Sequence, residues 1–505
     1  MGVRVTGLNS GMDTDSIVEA LVSAQRTKVD NIKKKQTKLS WKQDAWKSLN
    51  TKIYSFYNKK LTNSWLTTTY NLKKNTVSDQ SVATVSGGSV NGTQSLEVNK
   101  LAQNAYLTGG KITRADGEAL TSDTKVSELA GFGASGTITI NGTDIEIDEE
   151  MTLSALTTKM KSAGVNVNLD TNNGRLFVSA KKDGAAGNFT IGGDAQLLGT
   201  LGLEVIDDSS TSHSASSATG AAFIKGQDAE ITLNGAKFTS DTNNFAVNGM
   251  TINAMKETNG TAVTISTATD VDGIYNEVKD FLKEYNTLIK EMEKLYNAES
   301  AKGYEPLTDE EKEALSDDEV EKWESKIKDS LLRKDTTLSD VTSTIKTAMM
   351  QSIEIDGKSY NLSTFGINTQ GYFEAEANEK GVYHIDGDPD DETTSGNDDK
   401  LKSAIAADTD TFVTFFTKLT KGLYDELGKK MKAIKDMRSA YTVYNDKEMQ
   451  RQYDDYDDEI AKWEEKLKDL EDKYYKKFSA METALAKINS QSSSLAGLLG
   501  TGTVA

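Results

Sequence analysis

The sequence predicts an α+β multidomain chain: terminal coiled-coil helices and a helical leg domain, with two β-rich head domains inserted between them. Three observations predict it. Large apolar residues recur at heptad spacing at both ends of the chain. The dipeptide Asn-Gly occurs six times, starting at Asn91, Asn141, Asn173, Asn234, Asn248 and Asn259, and nowhere outside residues 91–260. None of the tryptophans (41, 46, 65, 323 and 463) falls in that stretch. A heptad stripe is too narrow to wall a globular core and needs a partner helix, whereas Asn-Gly supplies the two positive-φ residues of a hairpin turn.

Taken in order, Met1 to Met12 is small and polar. Met1-Gly2 with Thr6 fits the myristoylation pattern, which is short enough to arise by chance. Ser16 and Glu19 read as a capping box, opening a helix that runs to about Trp65 with a break near Ser40. Ile32, Leu39, Trp46 and Ile53 recur every seven residues, and Val22, Val29 and Tyr57 take companion positions. Gln36, Gln43 and Asn50 share those companion positions, so this seam is half polar, a device that fixes register at a cost in stability. The partner expected for it is the last helix, 446–490. There the seam is Tyr453, Tyr456, Ile460, Trp463, Leu467, Leu470, Tyr474, Phe478, Met481, Leu485 and Ile488, with one stutter after Tyr474. Charge agrees: residues 1–75 hold fourteen Lys/Arg and five Asp/Glu, while 446–490 hold nine and thirteen.

Between the ends, alternation such as Ile138, Ile140, Ile145 and Ile147 about Asn141-Gly142 reads as hairpins. The segments 138–147 and 231–238 resemble each other. The expected division is a β-rich head domain from 77–108 plus 221–270 and an inserted β-rich domain, 109–220, with a short helix near Leu153–Ser162. The Ser/Thr/Ala stretch 209–222 reads as a flexible re-entry. Residues 41–76 plus 271–470 form the helical leg domain. It opens on a stripe from Ile274 to Leu295, and capping boxes at Thr308/Glu311 and Ser316/Glu319 start two short helices ending near Arg333. A helix over 338–350 and a small β element, 353–385, follow, with Asp356-Gly357 as a turn and strands near Tyr372 and Tyr383. Helices are then expected over 400–427 and 429–444. Residues 1–40 and 471–505 are expected to gain order only on assembly, because short apolar-poor ends order on a partner.

Composition excludes several functions. Net charge is −19 with pI near 4.8, which argues against nucleic acid as the partner. The absence of cysteine removes disulfides, thiol chemistry and cysteine zinc sites. No apolar run is long enough to insert in a membrane, and the first twenty residues lack the apolar stretch of a cleaved signal peptide. The one tempting site, Asp386, Asp388 and Asp390 beside His384, resembles the start of a calcium loop. Its sixth position is Asp391 rather than Gly and its twelfth is Asn397 rather than Glu, so it reads as a solvated acidic loop. Neither His213 nor His384 has a nucleophile at a motif spacing. No metal site, cofactor site or enzyme signal is found, although an unrecognised carboxylate enzyme stays open as a rival class.

The opening Gly7-Leu8-Asn9-Ser10-Gly11-Met12-Asp13-Thr14-Asp15-Ser16 resembles the start of the bacterial flagellar filament cap protein family, also called flagellar hook-associated proteins; Met12 departs from the more usual Leu. The stretch 226–265, Phe281-Leu282-Lys283-Glu284-Tyr285-Asn286 and the closing 485–493 resemble later parts of the same family, in order. Residues 136–193 resemble a β repeat inserted in flagellins and their relatives. The resemblance implies a non-enzymatic ring-shaped homo-oligomer at the filament's distal tip, where incoming flagellin folds and is inserted. It implies export unfolded through the flagellar type III apparatus with a dedicated chaperone and without a cleaved signal. It also implies contact with the hook–filament junction protein, with host mucin or glycans as candidate ligands of the head domains. Residues expected at assembly contacts are Gly7, Leu8, Ser10, Gly11 and Asp13, the N-terminal seam Ile32, Leu39, Trp46 and Ile53, and Trp463, Leu467, Leu470, Tyr474, Phe478, Met481, Leu485 and Ile488. A flagellin-like or hook–filament junction structural protein is the alternative; it would not be expected to carry the 353–385 β element.

Overall fold

In the computed structural model, the described residues are 11–88, 90–205, 220–371 and 373–499. They divide into two compact units: residues up to Tyr70 together with those from Val271 onward, and Asn71–Asp270.

The first unit begins with α1 (Thr14–Ser55). Its N-cap is Asp13, whose carboxylate accepts from the Ser16 backbone N at 3.1 Å and from Ser16 Oγ at 2.6 Å. Ser16 is therefore inside the first turn, and Glu19 turns to Arg26 at 2.9 Å instead of closing the expected box. Two candidate caps three residues apart compete here, and the charged one wins because a carboxylate also suits the helix's positive end. The helix does not break at Ser40. It passes into a π-helical turn at Phe56–Leu61 and a single turn, α2 (Thr62–Ser64). The extra residue per turn falls where α1 enters the aromatic core of this unit, with Phe56 and Phe281 rings 5.8 Å apart.

The second unit holds the β-rich chain. The strands β1 (Lys73–Val77), β2 (Ala83–Gly87), β3 (Gly92–Lys100) and β4 (Tyr106–Thr108) come first. Next are β5 (Gly136–Ile140), β6 (Thr143–Ile147), α3 (Leu153–Ser162), β7 (Val165–Asp170), β8 (Arg175–Ala180), β9 (Ile191–Gly193) and α4 (Ala195–Thr200). The unit closes with β10 (Ala222–Ile224), β11 (Ala229–Leu233), β12 (Ala236–Ser240), β13 (Asn244–Val247), β14 (Met250–Ala254) and β15 (Val263–Thr269). A five-stranded sheet, β1-β15-β3-β11-β12, and a three-stranded one, β13-β14-β2, share one core that includes Leu96, Val98, Ile231, Phe245, Ile252 and Ile265. The sheets β10-β4-β8-β7 and β6-β5-β9, with α3 and α4, enclose another that includes Leu107, Ile138, Leu156, Val178 and Phe223.

Asn-Gly does what its conformational freedom allows at three hairpins. Asn141, Asn234 and Asn248 have φ near +50° with their glycines also positive, closing β5–β6, β11–β12 and β13–β14. The last of the six in sequence, Asn259-Gly260, adopts the same pair of angles in the loop before β15. In Asn173-Gly174 only the glycine is positive, and that turn is held by Asp170, which accepts from the backbone N of Asn172 and Asn173.

Two boundaries differ from the sequence reading. The β-rich unit starts at Asn71 rather than 77, because β1 pairs with β15. The insert starts before 109 and ends after 220, because β4 and β10 pair with each other and β4 with β8. Its neck is the antiparallel bridge Gln103–Gln227, closed by N–H···O bonds of 2.9 Å in both directions. Since β3 and β11 are sheet neighbours, excising 104–226 and joining the ends by a short Gly/Ser bridge should give a soluble protein whose remaining β core melts cooperatively. Excising only 109–220 strands β4 and β10 without β8 and should yield aggregate. Thermal scans and soluble yield of the two deletions check this.

The first unit resumes with α5 (Val271–Tyr296), α6 (Asp309–Glu313), α7 (Asp317–Asp329) and α8 (Thr336–Met349). The small strands β16 (Ile353–Ile355), β17 (Lys358–Tyr360), β18 (Ile367–Thr369) and β19 (Tyr383–Ile385) follow, then α9 (Lys400–Ala407), α10 (Thr409–Lys430) and α11 (Asp446–Leu499). The α5 stripe is buried from Ile274 to Met292. Phe281 meets Phe416 edge-on at 5.4 Å, and Phe412 in turn meets Phe365 at 5.1 Å. The strand expected near Tyr372 lies outside the described residues, as does the re-entry around His213; Tyr383 begins β19, paired with β18. The helix expected over 400–427 is interrupted at Asp408, which leaves helical angles to accept from the Thr411 backbone N and start α10. The helix expected over 429–444 is absent. Asp436 and Tyr441 take positive φ there, and the loop backbone is bonded from outside by Asn50. Tertiary contacts override helix propensity in that segment.

Candidate functional site

The terminal helices α1 and α11 pack against each other antiparallel. Val29 and Ile32 form a cluster with Ile460, flanked by Tyr456 and Trp463. Charged groups rim it: Lys33 Nζ lies 2.7 Å from Glu464, Arg26 3.5 Å from Glu471, and the Lys28 ammonium 4.6 Å from the centre of the Trp463 ring. Gln36, a polar seam residue, donates to Asp457 at 2.5 Å, and Tyr475 donates its hydroxyl to Asp15 at 2.9 Å. The opposite charges read from the sequence thus meet as specific pairs, although exposed pairs contribute only about 0–1 kcal/mol each.

The N-terminal seam divides. Val18, Val22 and Val29 are buried, Ile32 faces α11 and Leu39 is half-buried. Trp46 is 2% exposed but stacks on Tyr444, in the loop before α11, with centroids 5.3 Å apart. Ile53 is buried on the turn where Lys52 pairs with Glu291 of α5. Trp46 and Ile53 therefore leave the helix pair and enter the leg. The polar residue between them, Asn50, anchors the turn: its Nδ2 donates to Tyr441 O at 3.1 Å and its Oδ1 accepts from Val443 N at 2.9 Å. Seven-residue spacing continued past the end of the seam because the same face of α1 meets a second partner there.

On α11, Trp463, Leu467, Leu470, Tyr474, Phe478, Met481 and Leu485 are only half-buried, and Ile488 is 58% exposed. One helix covers a heptad stripe on one flank, leaving the other flank of each side chain in water. At the other end, Gly11 is exposed with φ +69° and Asp13 caps α1. Gly7, Leu8 and Ser10 lie outside the described residues.

The acidic loop after β19 is solvated only in part: the Asp390 side chain is 80% exposed, but two of its neighbours are not. Asp386 and Asp388 are 6% and 5% exposed. Lys279, from α5, places its ammonium 2.5 Å from Asp388 and 2.6 Å from Asp390. Asn368 and Asn397 donate to the two oxygens of Asp386, and His384 Nδ1 is 2.6 Å from Asp391. Two of these carboxylates are thus paired with the chain's own cation, and Asp386 with two amides. Among the described residues no group of three or more His, Asp and Glu is arranged to hold a metal ion, and no helix is long and apolar enough to cross a membrane.

Residues 10–105 match the family model described as Flagellar hook-associated protein 2 N-terminus, and 226–490 match that of its C-terminus. The chain is 23% identical to flagellar hook-associated protein 2 of Halalkalibacterium halodurans over 557 aligned residues, covering 98% of this chain and 99% of that protein. It is 26% identical to the protein of the same name from Thermotoga maritima, covering 71% of this chain and 54% of that one. Among solved structures it is similar to the D1-D2-D3 domains of the flagellar cap protein FliD from Escherichia coli, with TM-score 0.48, 18% identity, and coverage of 77% of this chain and 96% of that one. With the C-terminal match alone spanning more than half of the sequence, this chain belongs to the flagellar hook-associated protein 2 family.

Proposed function

We propose that this chain caps the bacterial flagellar filament as a ring-shaped homo-oligomer at its distal tip, keeping flagellin from escaping and promoting its folding and insertion. The observation that carries the reading is the α11 stripe, Trp463 to Leu485, which α1 leaves half uncovered and which continues to an exposed Ile488. An apolar stripe of that length is stabilised further only by another helix, from a neighbouring copy or from flagellin. Gly7, Leu8, Ser10, Gly11 and Asp13 join that contact from the other end. The helical unit serves as the leg, and the two β cores as outward head domains. The role is assembly rather than catalysis. Export runs through the flagellar type III apparatus with a dedicated chaperone, and the ring rests first on the hook–filament junction protein. The β element formed by β16–β19 and helices α9 and α10 fall within the family match at 226–490, which favours this reading over a flagellin-like filament subunit.

The experiment is complementation of a strain lacking its cap protein. The full chain should restore long filaments, and the chain lacking residues 1–40 should secrete unpolymerised flagellin into the medium. Full-length filaments from the truncated chain would sink the proposed role of the terminal pair.

A further inference from the structure

The acidic segment between α5 and α8 has no role in the reading above, yet it makes specific contacts with α1. Residues 299–333 carry twelve Asp/Glu and six Lys/Arg, whereas 26–42 of α1 carry seven Lys/Arg and one Asp. Thr308 and Glu311 form a reciprocal cap on α6, with Thr308 N donating to Glu311 at 2.7 Å and Glu311 N to Thr308 Oγ1 at 3.2 Å. This fixes Glu311 so that it takes Lys34 Nζ at 2.7 Å; the Lys34 side chain is 17% exposed. At the other end Lys42 reaches Asp335 at 2.8 Å, and Lys328 lies 4.5 Å from the centre of the Trp41 ring.

These contacts use a different face of α1 from the one α11 uses. Ile32 and Trp41 are nine residues apart, about half a turn around the helix. Between the end contacts lies a groove of about 420 Å³ lined by residues that include Lys34, Lys38, Tyr304 and Trp323, while Ile327 and Leu332 are the segment's fully buried apolar anchors. Ion pairs over an unfilled groove are the kind of contact a competing charged surface can displace.

We propose that residues 299–335 are an intramolecular strap that occupies the basic face of α1 and competes there with the acidic α11 of a second copy. That rival surface exists on this chain: Asp454, Asp455, Asp458 and Glu459 are exposed on α11. The strap rests on the reading of the chain as a homo-oligomer, and it adds a gate. A free subunit keeps the second face of α1 covered until a neighbour's α11 displaces the strap.

The test uses the full chain with Glu311→Gln, which can keep the cap with Thr308 while losing the ion pair to Lys34, and Lys328→Gln as an independent release. Hydrogen exchange reads residues 30–45, and sedimentation velocity reads association at matched concentration. Glu311→Gln and Lys328→Gln should each raise exchange about fivefold over 30–45 and shift the chain toward larger species. Unchanged exchange in both single variants overturns the strap. Raised exchange with unchanged association overturns the gate, while the wild-type chain can still complement the capless strain. Failure of that complementation would instead sink the cap reading itself.

Discussion

Leu467→Asp combined with Leu470→Asp is expected to stop cap assembly while leaving the β-rich unit folded. Both leucines are half-buried on the stripe that runs from Ile460 through Trp463 to Tyr474. Each change removes about 1 kcal/mol of apolar burial and puts a carboxylate against a helix already acidic on its flanks, beside Glu464 and Glu471. The α1–α11 pair should lose about 2–3 kcal/mol, and an assembly contact built on the same stripe should lose affinity about a hundredfold or more. The β-rich unit keeps its two cores, neither of which includes a residue of α11. Differential scanning calorimetry should therefore show its transition unmoved, while motility and filament length collapse in a capless strain carrying the variant. Loss of the β transition would show that the units are not energetically separate.

Lys279→Met is expected to destabilise the helical unit by about 3 kcal/mol. That is the low end for breaking a buried pair, because the lysine side chain keeps 27% exposure while the Asp388 side chain has 8%. Burial alone would lower the lysine's pKa, but hydrogen bonds to Asp388 and Asp390 raise it above its ordinary 10.5. The bond from Lys279 holds Asp390 below its ordinary 3.8. The signs fix the pH profile. A lowered carboxylate contributes stability above its unfolded pKa and loses it as pH falls through the folded value. A raised lysine contributes below its unfolded pKa and loses it as pH rises through the folded value. The wild-type contribution should be flat from roughly pH 5 to 10 and fall on both sides, and Lys279→Met should remove both falls, since the same ammonium holds Asp390 low. Urea unfolding at several pH values measures it; an unchanged midpoint in the variant would mean that Asp388 finds water or another cation.

Much of this architecture is legible because its signals are local. The heptads at both ends, the Asn-Gly hairpins, the reciprocal cap of Thr308 with Glu311 and the α3 boundaries each rest on a few adjacent residues. What the sequence concealed depends on distant partners. The irregular loop before α11 has the composition of a helix, but Asn50 bonds its backbone and Trp46 stacks on Tyr444. Asp388 reads as solvated because Lys279, about a hundred residues earlier, is invisible to local spacing. Strands β4 and β10 were assigned to the wrong head core because three-residue strands carry too little alternation to show which sheet they join. Within the candidate site, Ile32 and the α11 stripe were legible as a seam. The departure of Trp46 and Ile53 from it was not, since one face of a helix keeps its period while changing partners.

The most direct measurement is cryo-electron microscopy of native filament ends labelled with an antibody to this chain. A cap role predicts label confined to distal tips, with a ring of copies whose α1–α11 pairs point toward the filament and contact flagellin or each other along Trp463 to Leu485. Label distributed along the filament shaft, or at the hook junction alone, would contradict it.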